Sequence, residues 1–309
     1  MKLSLFDLHC DTAYEMLRRR QELTENKLAV SLQNAEAFER YVQVMALWTD
    51  HNLTDEDGWN AYRAMLENLK SDPAVRDGDA RLEKRYPIDT SARATLMLGV
   101  EDARILAGRL ERVDLLIEHG VRILTPLWKG VTCIGGSHDT DVGLTDFGRE
   151  ALRHAAAGGM ILDISHASVA SADEIFEIAT EQDSPVIASH SNTYAVCPVS
   201  RNLRDAQIAA ILRASGVIGL NLYGKFLRSD GDAMLEDALR HIEHFCERGA
   251  AHALCLGCDM DGCTLPPDLP DLSALPRLAE LMLRQGYPDT LVNDLFFENA
   301  NRFARRYLS

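Results

Sequence analysis

The chain has 309 residues, of which 46% are hydrophobic and 26% are charged, and its formal net charge is -15. This composition is ordinary for a globular protein, and the negative charge argues against nucleic acid and anionic membranes as partners. We expect one domain spanning residues 1–309, because α/β barrels of this length are commonly single domains.

Short apolar segments rich in Val, Ile and Leu alternate with longer amphipathic segments along the whole chain. Continuous apolar segments of this length are typical of strands buried on both faces, as in a parallel sheet. There are eight of them, at residues 3–8, 41–48, 94–100, 121–127, 160–164, 185–188, 217–222 and 253–257.

Helical patterns separate these predicted strands, and eight strand–helix units in about 300 residues predict a (β/α)8 barrel of the TIM type. Residues 50–91 form a segment longer than a simple crossover connection between two strands, so we interpret it as a charged helical insertion between predicted strands two and three. We expect a last helix at residues 289–307 to complete the outer layer. The alternative, a doubly wound open sheet, typically has a glycine-rich phosphate turn after strand one, which this sequence lacks.

No apolar stretch approaches the roughly 20 residues of a membrane helix, and the N-terminal segment MKLSLFDLHCD becomes polar too early for a signal peptide. The seven cysteines are an odd number spread through the predicted elements, which fits reduced thiols. These features predict a cytoplasmic protein without a membrane partner.

Metal-ligating side chains follow five of the predicted strands. The carboxyl ends of barrel strands meet at one face, so these side chains should share one pocket. On a strand, residues two apart point the same way, so the first segment can direct two ligands at one ion. Any one of these residues alone could have a purely structural role, but together they favour a divalent metal site. They are His9, Asp11, Glu101, His166, His190 and Asp259.

The sequence resembles the renal (membrane) dipeptidase family of zinc peptidases nearly from end to end. The strongest stretch runs from Gly143 to Asp205 and begins GLTDFGREAL. Further matches are the first-strand His-x-Asp, GVED at residues 99–102, GCDMDG at residues 257–262 and FFENANRF at residues 296–303.

The resemblance implies a zinc-dependent dipeptidase with an amidohydrolase-type barrel and two Zn2+ ions. One ion would be held by His9 and Asp11 and the other by His166 and His190, with Glu101 bridging them. A hydroxide between the two ions would attack the peptide bond.

Two further residues match family positions with roles in the reaction. Asp259 falls where the family has its proton-transferring carboxylate, and Arg201 falls where the family binds the free carboxylate of the dipeptide. Family members often accept a D-residue at the C-terminal position, so both L,L- and L,D-dipeptides are expected substrates. The family also suggests a homodimer.

One position departs from the family pattern. Many members carry a histidine after strand four, thought to polarise the substrate carbonyl, whereas RILTPLWKG places Trp128 there. An indole N–H can donate a hydrogen bond but carries no charge. Either the metal ions take over the polarisation or His138 on the following loop substitutes. Trp128 itself either lines the substrate pocket or packs on the barrel rim.

Two other functions remain open from the sequence. One is a different binuclear amidohydrolase activity, on another amide, a lactone or an amidine. Many such relatives use a His-x-His first strand and a carboxylated lysine bridge, whereas this chain has His-x-Asp and Glu101, which favours the dipeptidase branch. The other is a non-catalytic metal-binding protein, which should lack a ligand or the proton-transferring aspartate.

Two patterns that resemble metal sites are interpreted as structural. Cys255 and Cys258 have the C-x-x-C spacing but fall in a predicted strand, so they should lie on opposite faces as core thiols. His241 and His244 are three apart on a predicted helix, and the charges around them predict a solvated face.

Overall fold

The computed structural model describes residues 2–86 and 94–309, and this part of the chain contains nine parallel strands in one sheet. All eight predicted strands are present: the first is shifted by two residues, the second has the predicted bounds, the third is one residue longer and the other five are shorter. The strands are β1 (Leu5–Cys10), β2 (Tyr41–Trp48), β3 (Ala80–Leu82), β4 (Ala94–Glu101), β5 (Val121–Thr125), β6 (Ile161–Asp163), β7 (Val186–Ile187), β8 (Ile218–Leu220) and β9 (Leu254–Leu256).

Eight of these strands form the barrel, in the order β7-β6-β5-β4-β2-β1-β9-β8. The two ends of this order meet through a parallel bridge between Ala188 and Ile218, where the Gly219 amide donates to the Ala188 carbonyl at 2.7 Å. The closure depends on glycine, because a Cβ on Gly219 would lie 1.8 Å from the carbonyl oxygen of Ser189. The (β/α)8 barrel is therefore confirmed.

Helices follow the strands and cover the outside of the barrel. Hydroxyl groups cap three of them, since Thr54, Thr145 and Ser168 each accept a hydrogen bond from a backbone amide in the first turn of the helix that follows. The helices are α1 (Thr12–Arg19), α2 (Asp55–Ser71), α3 (Pro73–Arg76), α4 (Glu111–His119), α5 (Asp146–Ala157), α6 (Val169–Glu181), α7 (Asp205–Arg213), α8 (Gly224–Leu227), α9 (Ala238–Glu247), α10 (Pro276–Arg284), α11 (Asp289–Asn293) and α12 (Asn299–Tyr307). In the described ranges, none is long and apolar enough to cross a membrane.

The helical insertion predicted at residues 50–91 consists of α2, α3 and the short strand β3, and its last residues lie outside the described ranges. Strand β3 was not predicted. It pairs in parallel with the start of β4, from Ala80 opposite Ala94 to Leu82 opposite Leu96. Three residues are too few to give a recognisable apolar alternation in the sequence.

The apolar side chains form two cores, one between the strands and the helices and one inside the barrel. The last helix was expected to complete the outer layer, and this is only partly right. Leu295 and Phe296, between α11 and α12, join the outer core. Phe297, next to them, and Ala300 and Phe303 of α12 join the inner core beside Phe6 of β1. The last helix therefore also fills the inside of the barrel from the end opposite the predicted metal ligands.

The prediction of a solvated face for His241 is wrong. Its side chain is 0% exposed, its Nδ1 accepts from the Thr193 amide at 3.2 Å, and its Nε2 donates to the Leu227 carbonyl at 3.0 Å. The sequence suggested exposure because charged residues surround it, but a helix has more than one face. Cys255 and Cys258 are buried as predicted, in the inner and the outer core respectively.

Candidate metal and active site

The strand ends bring the six predicted metal-site residues together. Glu101, the last residue of β4, lies at the centre. Its Oε1 is 2.9 Å from Nε2 of His166 and 3.4 Å from Nε2 of His190, while its Oε2 is 3.5 Å from Nε2 of His9. All four side chains are nearly inaccessible to solvent, with His166 the most exposed at 11%. One carboxylate thus contacts imidazoles from three other strands.

Two more carboxylates lie on the far side of His9. Its Nε2 is 3.5 Å from Oδ2 of Asp11 and 3.9 Å from Oδ1 of Asp259. Ligand atoms within 4.8 Å of one another form two groups of the kind that holds a metal ion: His9 with Glu101 and His190, and His9 with Asp11 and Asp259. The cluster is therefore large enough for two neighbouring cations.

The backbone at this site is in unusual conformations. His166 and Asp259 both have positive φ, 69° and 61°, a region that side chains other than glycine rarely adopt. Such residues cost of order 1–3 kcal/mol each, and they concentrate at functional sites where a side chain must be aimed. Here the two left-handed residues turn the chain so that both side chains face Glu101 and His9.

The protonation of two imidazoles follows from their outer partners. Nδ1 of His166 lies 3.1 Å from the Trp128 carbonyl oxygen, which can only accept, so Nδ1 carries the proton. Nδ1 of His190 lies 2.7 Å from Oγ of Ser189, whose own proton goes to Asp163, so this Nδ1 also donates. Both Nε2 atoms are then unprotonated, and they lie 3.1 Å apart. Two facing lone pairs repel each other unless a cation lies between or beside them.

Several ligand atoms of this site are buried without a hydrogen-bond partner, namely Nε2 of His9, Oδ1 of Asp11 and Oε1 of Glu101. Unpaired buried polar atoms are costly unless something else satisfies them. Imidazole nitrogen and carboxylate oxygen are the ligands that zinc and similar divalent ions accept. The donor set of this structure therefore fits a divalent metal centre.

Burial and mutual charge perturb these groups strongly. Burial raises the pKa of Asp11 to about 8, with the Glu101 charge adding to the effect, and burial likewise raises the pKa of Asp259. Burial and the Arg201 charge lower the pKa of His166 to about 4. Burial would raise the pKa of Glu101, but the charge of His9 outweighs this effect and holds that pKa well below its usual range.

Asn221, just after β8, is a residue of this site that the sequence reading missed. Its Nδ2 donates to Oδ2 of Asp259 at 3.0 Å and also lies 3.3 Å from the His190 carbonyl oxygen. It therefore fixes one oxygen of Asp259 and leaves Oδ1 towards His9. Its signal in the sequence is a polar residue near the end of the apolar segment 217–222, but an amide is not a typical zinc ligand, so a pattern of metal ligands does not select it.

Arg201 is buried against the site rather than exposed in it. Its Nη1 donates to Oγ of Ser191 at 2.8 Å and its Nη2 donates to the His190 carbonyl at 2.9 Å, while its Nε has no acceptor. Burial lowers its pKa to about 10, so it remains a cation at neutral pH. It lines a cavity of about 140 Å³ beside the main cleft.

Four of the six predicted metal-site residues line a cleft of about 830 Å³, namely Asp11, Glu101, His166 and Asp259, and Trp128 lines it as well. His138 lines both this cleft and the smaller cavity of Arg201. Its ring centroid is 5.7 Å from that of His166, and its Nδ1 lies 3.0 Å from Oγ of Ser200. His138, the side chain that could substitute for the family histidine, is therefore next to the cluster.

Comparison with known proteins agrees with this geometry. A relative from Klebsiella pneumoniae, an uncharacterized protein in the pqqA 5' region, is 35% identical over 192 residues, which is 58% of this chain and 70% of that protein. A metallopeptidase from Rhodobacter sphaeroides, solved with a phosphinate mimic of the dipeptide L-Ala-D-Ala, superposes with a TM-score of 0.91 at 25% identity, covering 99% of this chain and 100% of that one.

A second solved structure, the dipeptidase AC, a metallopeptidase, also superposes with a TM-score of 0.91, at 26% identity over 100% of this chain and 99% of that one. The family model of membrane dipeptidases matches residues 1–307. The chain therefore belongs to the membrane dipeptidase family, peptidase family M19.

Proposed function

We propose that this protein is a zinc-dependent dipeptidase that cleaves dipeptides with a free C-terminal carboxylate. The observation that carries the proposal is the convergence of two unprotonated imidazole nitrogens, on His166 and His190, upon one oxygen of Glu101. With the family membership, this arrangement is best explained as a metal centre that activates water for peptide hydrolysis.

The proposed cofactor is a pair of Zn2+ ions. His9 and Asp11 would hold one ion and His166 and His190 the other, with Glu101 bridging. What supports the bridging role is that Oε1 of Glu101 faces one pair of imidazoles while Oε2 faces His9. Zinc ions held there supply an acidified water molecule and a Lewis acid for the scissile carbonyl.

Asp259 is the proposed proton carrier. Oδ1 would take the proton of the attacking water and then give it to the leaving amine, so the carboxylate ends the cycle unchanged. The hydrogen bond from Asn221 to Oδ2 supports this role, because it leaves Oδ1 as the oxygen directed at the cluster. A buried carboxyl with a raised pKa also holds a proton more readily than an ordinary aspartate.

Arg201 is the proposed anchor for the substrate carboxylate. It is a buried cation with an unpaired Nε, and a carboxylate would supply the missing acceptor. Its position beside the carbonyl of the ligand His190 would place the dipeptide's C-terminal end next to the metal centre. The Rhodobacter relative was solved with a mimic of L-Ala-D-Ala, which supports L,D- as well as L,L-dipeptides as substrates. A cytoplasmic location and a homodimer remain predictions.

The test is hydrolysis of a panel of L,L- and L,D-dipeptides by zinc-reconstituted protein, read as free amino acids, beside a chelated control and N-acetylated and C-amidated versions of each dipeptide. We expect metal-dependent cleavage of the free dipeptides and little cleavage of the C-amides. If zinc-loaded protein cleaved none of the dipeptides, the dipeptidase assignment would fail, and the alternative amidohydrolase reaction on an amide, lactone or amidine would take its place.

A further inference from the structure

We infer that the first residue of the substrate packs its side chain against a wall of aromatic rings, so that this protein prefers dipeptides with a large aromatic or aliphatic N-terminal residue. The inference rests on the proposed function and specifies its substrate class. We define the aromatic wall as Tyr14, Trp48 and Trp128, all of which line the main cleft.

The three rings of the aromatic wall contact one another in series. The centroids of Tyr14 and Trp48 are 4.8 Å apart with their planes at 83°, and those of Trp48 and Trp128 are 5.1 Å apart at 62°. His51 supports Trp128 from the side, at 5.2 Å between centroids. Such edge-to-face packing holds the rings in place, and each ring stays half-buried, with part of its surface open to the cleft.

The position of the wall follows from the strand order. Trp48 is the last residue of β2, and Tyr14 and Trp128 come after β1 and β5. These three strands lie on one side of the barrel around β4 and its Glu101. Arg201 comes after β7, on another part of the rim, with its guanidinium carbon 5.6 Å from the ring centroid of Phe226 after β8. A dipeptide anchored at Arg201 by its carboxylate, with its peptide bond over the metal ligands, would extend its first residue towards the wall.

The chemistry of the wall favours an apolar side chain. Glu15 is a carboxylate beside Tyr14 that lines the cleft, and Arg18 donates to it twice, at 2.9 and 2.7 Å, while Arg19 contacts it as well. That carboxylate is therefore already neutralised and offers no unpaired charge for a basic side chain. Aromatic faces can also attract cations, so the experiment must distinguish an apolar first residue from a lysine at that position.

Trp128 is the residue to change in the specificity test, because its backbone carbonyl oxygen, which accepts from Nδ1 of His166, remains after substitution. The ring centroids of Trp128 and His166 are 6.3 Å apart, so the zinc content of each variant must be measured as well. Burying a benzyl group instead of a methyl group against such a wall should favour binding by at least about tenfold.

The experiment compares kcat/KM of the zinc-loaded protein for L-Phe-L-Ala, L-Ala-L-Ala, L-Ala-L-Phe and L-Lys-L-Ala. We expect L-Phe-L-Ala to exceed each of the other three by at least about tenfold. Trp128→Ala should reduce the ratio of kcat/KM for L-Phe-L-Ala to kcat/KM for L-Ala-L-Ala several-fold, and Trp128→Phe should retain most of that ratio. Calorimetric binding of two phosphinate dipeptide analogues, with benzyl or methyl as the first side chain, gives a readout independent of turnover.

Three results would overturn the inference: equal rates for L-Phe-L-Ala and L-Ala-L-Ala, a preference for L-Lys-L-Ala or L-Ala-L-Phe, or a first-position preference that survives Trp128→Ala unchanged. Cleavage of dipeptides without the predicted preference would leave the proposed function intact and refute only this inference. Absence of cleavage for every dipeptide would refute the proposed function, and the inference with it.

Discussion

Gly262 lies directly against the carboxylate of Asp11, so close that a Cβ on this glycine would lie 1.9 Å from Oδ2 of Asp11 and 2.8 Å from Oδ1 of Asp259. The absence of a side chain at this position therefore makes room for two carboxylates of the site. The glycine of the GCDMDG motif is explained by this close approach, because its φ is not among the positive values.

Gly262→Ala should displace Asp11 or Asp259 and so weaken metal binding, because a methyl group cannot fit in that space. We expect bound zinc, measured by plasma mass spectrometry after dialysis, to fall, and dipeptide turnover to drop at least about 100-fold. Gly224→Ala is the matched control, since its nearest neighbour would be 3.6 Å from the new Cβ. Full zinc content and full activity in Gly262→Ala would contradict this account of the site.

Asp259→Asn should leave the bound zinc in place and abolish the proton transfer. The amide keeps the shape of the side chain but cannot carry a proton between water and the leaving amine. We expect kcat to fall by about 10²–10⁴ with zinc content unchanged. Asp259 also lies among the atoms that could bind a metal ion with His9 and Asp11. A loss of one zinc ion in this variant would show that Asp259 is a ligand instead.

Arg201→Ala should distinguish free dipeptides from their C-terminal amides. Removing a buried cation that binds a carboxylate should lower kcat/KM for the free dipeptide by about 100-fold and alter the already low rate for the amide much less. Zinc content must be measured in parallel, because Arg201 also supports the His190 carbonyl. Equal losses for both substrates at full zinc content would refute the anchoring role.

His241 predicts a pH dependence of stability that is separate from the active site. Burial lowers its pKa to about 4, below the usual 6.5, so the unfolded chain takes up a proton at a higher pH than the folded chain. Stability is therefore lost as the pH falls from about 6.5 towards 4. This group alone should lower the free energy of unfolding by about 2 kcal/mol between pH 7 and pH 5.

The measurement is urea unfolding of the wild type and of His241→Gln at both pH values. Glutamine can keep a donor to the Leu227 carbonyl but does not titrate in this range. The variant should be less stable at pH 7 and should lose about 2 kcal/mol less than the wild type on going to pH 5. An identical loss in the two proteins would mean that His241 does not cause the acid sensitivity.

The barrel and the cluster were predictable because both follow from a regular pattern. Parallel strands buried on both faces are recognisable as apolar segments, and their carboxyl ends must meet at one face, which brings His9, Glu101 and His190 together. Residues 87–91 of the predicted insertion lie outside the described residues.

Hydrogen-bond partners that come from distant parts of the chain could not be predicted from the sequence. The hydrogen bond between Asn221 and Asp259 spans 38 residues, and that between Thr125 and Asp163, which orders the carboxylate behind Ser189, also spans 38. The burial of His241 depends on the carbonyl of Leu227 and the amide of Thr193, neither of which a helical pattern reveals. The left-handed conformations of His166 and Asp259 likewise arise from the packed barrel.

The central claim is that dipeptide hydrolysis depends on two metal ions bridged by Glu101. Its most direct test is to titrate protein freed of metal by a chelator with Zn2+ while the cleavage of L-Ala-D-Ala and L-Phe-L-Ala is followed. The account predicts no activity before zinc is added and a plateau of activity at two equivalents of Zn2+ per chain. In Glu101→Gln, the second ion should bind weakly and full activity should not be reached. Activity in the chelated protein, or a plateau at one equivalent that Glu101→Gln leaves unchanged, would contradict it.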